Sequence, residues 1–296
     1  MTLDILMSIL VAGITTGALY ALATVGLSLV WGSMGMLNMA HAAMLTMGGY
    51  AAFTVSSALG LPVIAGFAGA IVIGMIGGSL LYVLIVRNLL KNDKSTFESN
   101  VMIATVGIGI ALENAILMIY GGQPLKQPLS IPGTLMLGPL ALPYQNIVII
   151  LTVVVLMAFI ALLLNRTRMG RAIRATAQNR DAAQLMGVAV NRVYFQVLVL
   201  SGGLAGICGV MVSSITQLSP PLGNDPMLKA FIMCVVAGLG NLPGAVAAAF
   251  GLALFEAFIQ YAAGARWGFP SLLFVVIAVL IWRPSGLFGR AQIRRL

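Results

Sequence analysis

The amino-acid sequence predicts an all-α fold: a polytopic bundle of transmembrane helices, about eight spans plus one broken or half-length helix. Three observations predict it. Of the 296 residues, 60% are hydrophobic and only 8% are charged, whereas a soluble domain carries roughly a quarter charged residues to wet its surface. Apolar runs long enough for a bilayer, ~20 residues each, recur along the whole chain. The 34 glycines suit helices that must pack closely where lipid tails remove any hydrophobic drive between them. A soluble protein with an outsized core does not explain runs that recur at span length. Residues 1–296 therefore read as a single transmembrane domain.

Taken in order, the apolar runs are 5–30, 36–57, 61–86, 98–119, 144–164, 191–216, 227–262 and 268–282. The first is preceded by Asp4 and by no Lys or Arg, so it lacks the charged leader of a cleavable signal. The second follows "WGSMG" at 31–35, whose two glycines and serine are expected to break the chain. The run 227–262 is too long for one helix and breaks at "GLGNLPG", 238–244. Its first piece, 227–240, would be ~21 Å long as a helix, short of a ~30 Å hydrocarbon core. It reads as a half-helix or a tilted, buried span. The loop 120–143 carries Pro124, Pro128, Pro132, Pro139 and Pro143, which prevent a continuous helix. It is expected to fold as a cap over the outer mouth.

The net charge of +9 is explained by position rather than by nucleic acid. Arg87, Lys91 and Lys94 lie in one connection. Arg166, Arg168, Arg171, Arg174, Arg180 and Arg192 lie in or beside 165–192. Arg283, Arg290, Arg294 and Arg295 lie in the C-terminal tail. All fall on one side if the spans alternate and 227–240 counts as a crossing. That side holds 13 of the 16 basic residues and is assigned to the cytoplasm, with the N-terminus outside and the C-terminus cytoplasmic. Lys126, Lys229 and Arg266 remain for the opposite face.

The chemistry-bearing motifs are few. No phosphate loop, nucleophile elbow or carboxylate pair at catalytic spacing occurs. Cys208 and Cys234 sit inside apolar runs without metal-ligand spacing. The sequence therefore names no catalytic residue, no metal site and no cofactor of its own, and any energy must come from another chain.

The polar residues inside the runs are the candidate sites. In "MGMLNMAHAAMLTMGGY", 34–50, a helical period puts Asn38, His41, Leu45, Gly48 and Gly49 within a ~100° sector. His41 is the only histidine. A polar face in hydrocarbon must point into the bundle or toward a water-lined path. The competing reading, in which Asn38 and His41 only hold neighbouring helices together, weighs more, because polar groups often serve so in membranes. At the second break, Gly240 precedes Asn241, which suits an N-cap, and Pro243 suits the first turn. Such a helix start at membrane depth is either an anion site or a re-entrant fold that closes the bundle. Glu113 and Glu256 are the carboxylates within the spans. Glu256 is expected within two turns of the outer surface and Glu113 in the outer half, each facing water or protonated. The stretch 165–192, "NRTRMGRAIRATAQNRDAAQLMGVAVNR", reads as one or two short helices bounded by Gly170 and Gly187. It is either a docking element for a soluble partner or a basic amphipathic helix on anionic headgroups.

Four stretches together resemble a known family: "LNMAHAAMLTMGGY" (37–50), "GRAIRATAQNRDAAQLMGV" (170–188), "KAFIMCVVAGLGNLPGAVAAAFGLALFE" (229–256) and "RPSGLFG" (283–289). The chain is similar to the membrane-spanning permease of the branched-chain (hydrophobic) amino-acid ABC importers from about residue 17 to 289. The resemblance implies a bacterial inner-membrane protein that pairs with a second, homologous permease as a heterodimer. It implies two ATP-binding subunits that carry ATP and magnesium, and a periplasmic or extracellular solute-binding protein. It further implies that 170–188, within the cytoplasmic loop 165–192, couples to the ATPase through Gly170, Arg171, Arg174, Ala175, Asp181, Ala182 and Gly187. The stretch lacks the Glu-Ala-Ala opening of the wider importer motif, and Met39 and Ala42 stand where many relatives have phenylalanine and glycine. The implied translocation path would draw on Asn38, His41, Gly48, Gly49, Gly240, Asn241 and Glu113. The implied cargo is a branched-chain or hydrophobic amino acid. Urea, short amides and aromatic acids are the alternatives within the family. A rival of another class, an ion-coupled secondary transporter or channel, would need intramembrane ionisable groups, for which Glu113 and Glu256 are the carboxylates at hand.

Overall fold

In the computed structural model, residues 3–90, 97–129, 131–137 and 140–289 are described. Lys91, Lys94, Pro139, Arg290, Arg294 and Arg295 lie outside them. The chain is a helix bundle with one short hairpin. Helix α1 (Leu3–Met34) ends at Gly35, whose φ of +64° no β-carbon tolerates well. Helix α2 (His41–Phe53) continues into a π turn at Thr54–Ala58. Helix α3 (Val63–Leu81) continues through a π turn at Tyr82–Val86 into a last α turn, α4 (Arg87–Leu89). Helix α5 (Phe97–Tyr120) precedes strands β1 (Thr134–Leu137) and β2 (Leu140–Pro143). Helix α6 (Tyr144–Arg166) is followed by the short pair α7 (Arg168–Gln178) and α8 (Arg180–Leu185). Helices α9 (Val190–Ile215), α10 (Asn224–Ala237), α11 (Leu242–Ala263) and α12 (Gly268–Trp282) complete the bundle.

Seven helices among the described residues are long and apolar enough to cross a membrane: Ile5–Met34, Val63–Leu89, Phe97–Tyr120, Tyr144–Arg166, Val190–Ile215, Leu242–Ala263 and Ala265–Trp282. The 14-residue α10 reaches only ~21 Å, the length its sequence predicts. The protein is thus a multi-pass membrane protein.

Helix α9 is the centre. It packs against α3, α2 and α1, and α11 lies along α1. The close packing follows from small residues in register. On α3, Ala70, Gly74 and Gly78 recur every four residues, and each faces α9. A β-carbon on Gly74 would strike the Gly202 carbonyl, and one on Gly78 would strike that of Leu198. On the other side of α9, a β-carbon on Gly209 would strike the Leu45 carbonyl of α2. Backbones therefore meet where side chains would keep them apart, which gains dispersion contacts that lipid cannot offer.

The loop 120–143 differs in detail from a bare cap. Its second half pairs β1 with β2 in an antiparallel hairpin, Thr134 opposite Pro143. Its first half is tied down by Leu125 bridging Leu218. Gln127 is buried there and donates to the Gly49 carbonyl (3.2 Å) and to Ser213 Oγ (3.0 Å).

Candidate functional site

The arginines of the described residues, Arg266 between α11 and α12 excepted, gather at one end of the bundle. One cavity there is lined by Arg87, Arg180 and Val190, and another by Ser33, Asn165, Arg174 and Leu242. The ends of α1, α3, α6, α10 and α12 and the starts of α9 and α11 all lie at this end.

The short pair α7–α8 is built by local capping. Thr167 caps α7, its Oγ1 accepting from Gly170 N at 3.0 Å. Asn179 caps α8, its Oδ1 accepting from Ala182 N at 2.9 Å. Gly187, with φ of +84°, ends the pair. Gly170 is not the boundary that its sequence predicts but lies in the first turn of α7. A β-carbon there would strike the Leu163 and Leu164 carbonyls, so glycine is needed for the sharp turn back from α6. Arg174 crosses the same junction and donates from Nη1 to the Leu164 carbonyl and, at 3.5 Å, to Asn165 Oδ1. It thereby satisfies a free carbonyl at the C-terminus of α6.

Ile173 and Thr176 are buried against the bundle, while Arg171, Arg174, Asp181 and Ala182 are exposed and Ala175 is half-buried. The pair is thus amphipathic and docked, with its polar side outward. Sequence reasoning missed Leu185 and Met186, which stand 88% and 85% exposed at the end of α8. They are two adjacent large apolar side chains left uncovered on an otherwise polar element. Their signal in the sequence was an apolar pair that no helical period explained.

The break between α10 and α11 sits beside this element. Asn241 Oδ1 accepts from Gly244 N (3.1 Å), so it caps α11 as its sequence predicts. Its Nδ2 donates to the Phe288 carbonyl (2.8 Å). The segment 283–289 closes the break from outside. Leu287 N donates to the Val236 carbonyl (2.8 Å) and Phe288 N to that of Ala237 (3.0 Å). Orphan carbonyls at the end of α10 are satisfied in this way. The two segments cross at Gly238, where a β-carbon would lie 2.7 Å from Gly289 Cα. Gly240 packs on Gly32 of α1.

The Asn38–His41 pair resolves differently from a shared helix face. Helix α2 begins at His41, so Asn38 precedes it. Asn38 Oδ1 accepts from Ala40 N (3.1 Å), and its carbonyl accepts from His41 N (3.3 Å). The short side chain has taken up a local turn instead of helix, the usual competition for asparagine. His41, Gly48 and Gly49 do share a face, and it points inward. His41 is fully buried with its ring 2.9 Å from where a β-carbon on Gly26 would sit. Gly48 and Gly49 pack on Gly206 and Gly209 of α9. Glu113 is half-buried toward the opposite end, where Asn224 Nδ2 donates to its Oε2 at 3.4 Å. Among the residues named for a path, Glu113 thus lies toward the opposite end of the bundle from Gly240 and Asn241. Of them, Gly240 lines a cavity of about 600 Å³ between α1, α6, α7 and the start of α11.

Glu256 and Lys229 depart furthest from expectation. Neither lies at the surface: they are 4% and 8% exposed. Lys229 Nζ lies 3.0 Å from Glu256 Oε1 and 3.1 Å from Asp225 Oδ2. It also donates to the Tyr20 hydroxyl (2.8 Å), which in turn donates to Glu256 Oε2 (3.0 Å). Gln260 Nε2 donates to Glu256 Oε1 (3.2 Å). A lone charge here would be costly, but a pair with its remaining sites hydrogen-bonded is tolerated. The cluster joins α1, α10 and α11. Among the described residues no three His, Cys, Asp or Glu side chains are placed to hold a metal.

A family model described as "Branched-chain amino acid transport system / permease component" matches residues 9–282. The chain belongs to this family. Among similar proteins is the high-affinity branched-chain amino acid transport system permease protein BraD of Pseudomonas aeruginosa, 28% identical over 97% of each chain. The permease protein LivH of Escherichia coli, of the same printed description, is 28% identical over 96% of each chain. A probable branched-chain amino acid transport permease protein LivH of Methanocaldococcus jannaschii is 27% identical, covering 95% of this chain and 92% of the relative. The match runs from within α1 to the end of α12, so it identifies the chain as a transport permease of the membrane.

Proposed function

We propose that this chain is the permease subunit of an ABC importer in a bacterial inner membrane and moves branched-chain or other hydrophobic amino acids. The observation that supports it most is the family match over 9–282. On this reading the basic end faces the cytoplasm, because basic residues are retained there. The N-terminus is then outside and the C-terminus inside. The count of crossings is the seven long helices with α2 and the half-length α10 added.

The chain works with a second, homologous permease, two ATP-binding subunits that hold ATP and magnesium, and an external solute-binding protein. The α7–α8 pair is the coupling element. Gly170 and Arg174 lock it to the end of α6, so that force on it moves α6 as well. Arg171, Ala175, Asp181, Ala182 and Gly187 shape its polar face, and exposed Leu185 and Met186 extend that face with an apolar tip. Asn38, His41, Gly48 and Gly49 hold α2 against α1 and α9 beside the path. Gly240 and Asn241 hold the α10–α11 break. Glu113 stands near the outer mouth.

The test is uptake of labelled leucine into vesicles carrying this chain with its partner permease, ATPases and binding protein. ATP-dependent accumulation is expected, and competition with urea, short amides and aromatic acids reads the cargo. Uphill uptake by this chain alone under an ion gradient would refute the proposal in favour of a secondary transporter.

A further inference from the structure

The basic end holds a second cavity, beside the α8 half of the short helix pair. A cavity of about 490 Å³ lies between the last turn of the third span and the start of α8–α9. Arg87 and Arg180 both line it, with the amides of Gln184 and Asn191. Neither guanidinium has a carboxylate partner among the described residues. Arg180 stacks over the Tyr194 ring, 5.6 Å from its centroid, and its Nε is buried without a hydrogen-bond partner. The aromatic ring fixes the plane of the guanidinium but leaves its donors unused. Among the described residues, two guanidinium groups without a carboxylate partner and two amides surround one cavity. They call for an anion with several oxygens, and the planar fork of arginine matches phosphate.

The surroundings decide where that phosphate comes from. Arg87 ends the span Val63–Leu89, and Val190 begins the span Val190–Ile215. The cavity therefore sits at the depth of lipid headgroups. Before Arg87 on the same span lie Leu84, Val83 and Leu80, exposed by 59%, 47% and 51%. All three lie within seven residues of Arg87, on either side of the start of the π turn. These uncovered apolar side chains near Arg87 offer a bed for acyl chains. A soluble anion would need no such bed.

We propose that this cavity binds the phosphate of an anionic phospholipid headgroup, with the acyl chains along Leu80, Val83 and Leu84. Arg87 and Arg180 grip the phosphate. Gln184 and Asn191 reach the glycerol or headgroup oxygens. Basic pockets between spans are suited to such headgroups. The bound lipid clamps the α8 end of the short helix pair to the third span.

The experiment is native mass spectrometry of the full chain, purified with its co-purifying subunits, after exchange into phosphatidylglycerol or phosphatidylcholine. Wild type is expected to retain phosphatidylglycerol preferentially. Arg87→Gln and Arg180→Gln should each weaken that retention about fivefold and leave phosphatidylcholine unchanged. Arg192→Gln removes a charge at the same end without lining the cavity, and should change neither. Because Gln184 is exposed, Gln184→Glu tests the site without disturbing the core, and it should abolish the preference. Unchanged preference in Arg87→Gln, Arg180→Gln or Gln184→Glu, or an equal loss in Arg192→Gln, overturns the proposal. Thermal stabilisation by inorganic phosphate equal to that by phosphatidylglycerol would assign the site to a free anion and defeat the lipid assignment. Arginine variants that keep their lipid but shed a co-purifying protein chain would assign the cavity to that protein and defeat it as well.

Discussion

Replacing Glu256 with glutamine keeps the size of the side chain and removes its charge. Lys229 would then sit in the bundle with one carboxylate, Asp225, whose side chain is 67% exposed and screened by water. Breaking a buried ion pair from one side costs about 3–5 kcal/mol. Asp225 and the Tyr20 hydroxyl still hold Lys229, so the lower end, about 3 kcal/mol, is expected. Lys229→Met leaves Glu256 with only the Tyr20 and Gln260 donors, and about 3–4 kcal/mol is expected. The double variant removes both charges, so its loss should fall short of the summed single losses by at least about 1 kcal/mol. The assay is denaturant unfolding of the purified protein in detergent, followed by circular dichroism, for all four members of the cycle. Single variants within about 0.5 kcal/mol of wild type, or strictly additive losses, would refute the claim that the pair is buried and coupled.

Three further outcomes follow from the packing and the caps. Gly74→Val drives a branched side chain into the Gly202 carbonyl and should lower the yield of folded protein on size exclusion severely, whereas Gly251→Ala, with no atom within 4 Å of its β-carbon, should be neutral. Asn241→Ala loses the α11 cap and the bond to Phe288 and should cost about 1–2 kcal/mol in unfolding experiments. Leu185→Ser and Met186→Ser should leave the thermal stability of the isolated chain unchanged, because both side chains are exposed, yet weaken co-purification of ATP-binding subunits.

The helices themselves were readable because lipid imposes a simple rule: a span needs a long apolar run, and the runs at 98–119 and 144–164 fall inside α5 and α6, while 191–216 overruns α9 by one residue. Breaks announced themselves through local chemistry, as at Gly35 and at Asn241 with Pro243. Such features depend on neighbours within four residues, so one strand of text contains them. Asn38 defeated the helical period because its own side chain bonded two residues on, a choice that periodicity ignores.

Partnerships across the bundle were not readable. Nothing in the spacing of Tyr20, Lys229 and Glu256 brings them together, since each lies on a different helix and the register between helices is set by packing. Likewise the segment 283–289 showed a motif but not that it would satisfy the carbonyls of Val236 and Ala237. Membrane depth and helix identity are local properties, written in hydropathy and caps. Which faces meet, which charges neutralise one another and which arginines are left with an open cavity depend on close contact between backbones far apart in the chain, and that emerges only when the glycine-lined helices are packed.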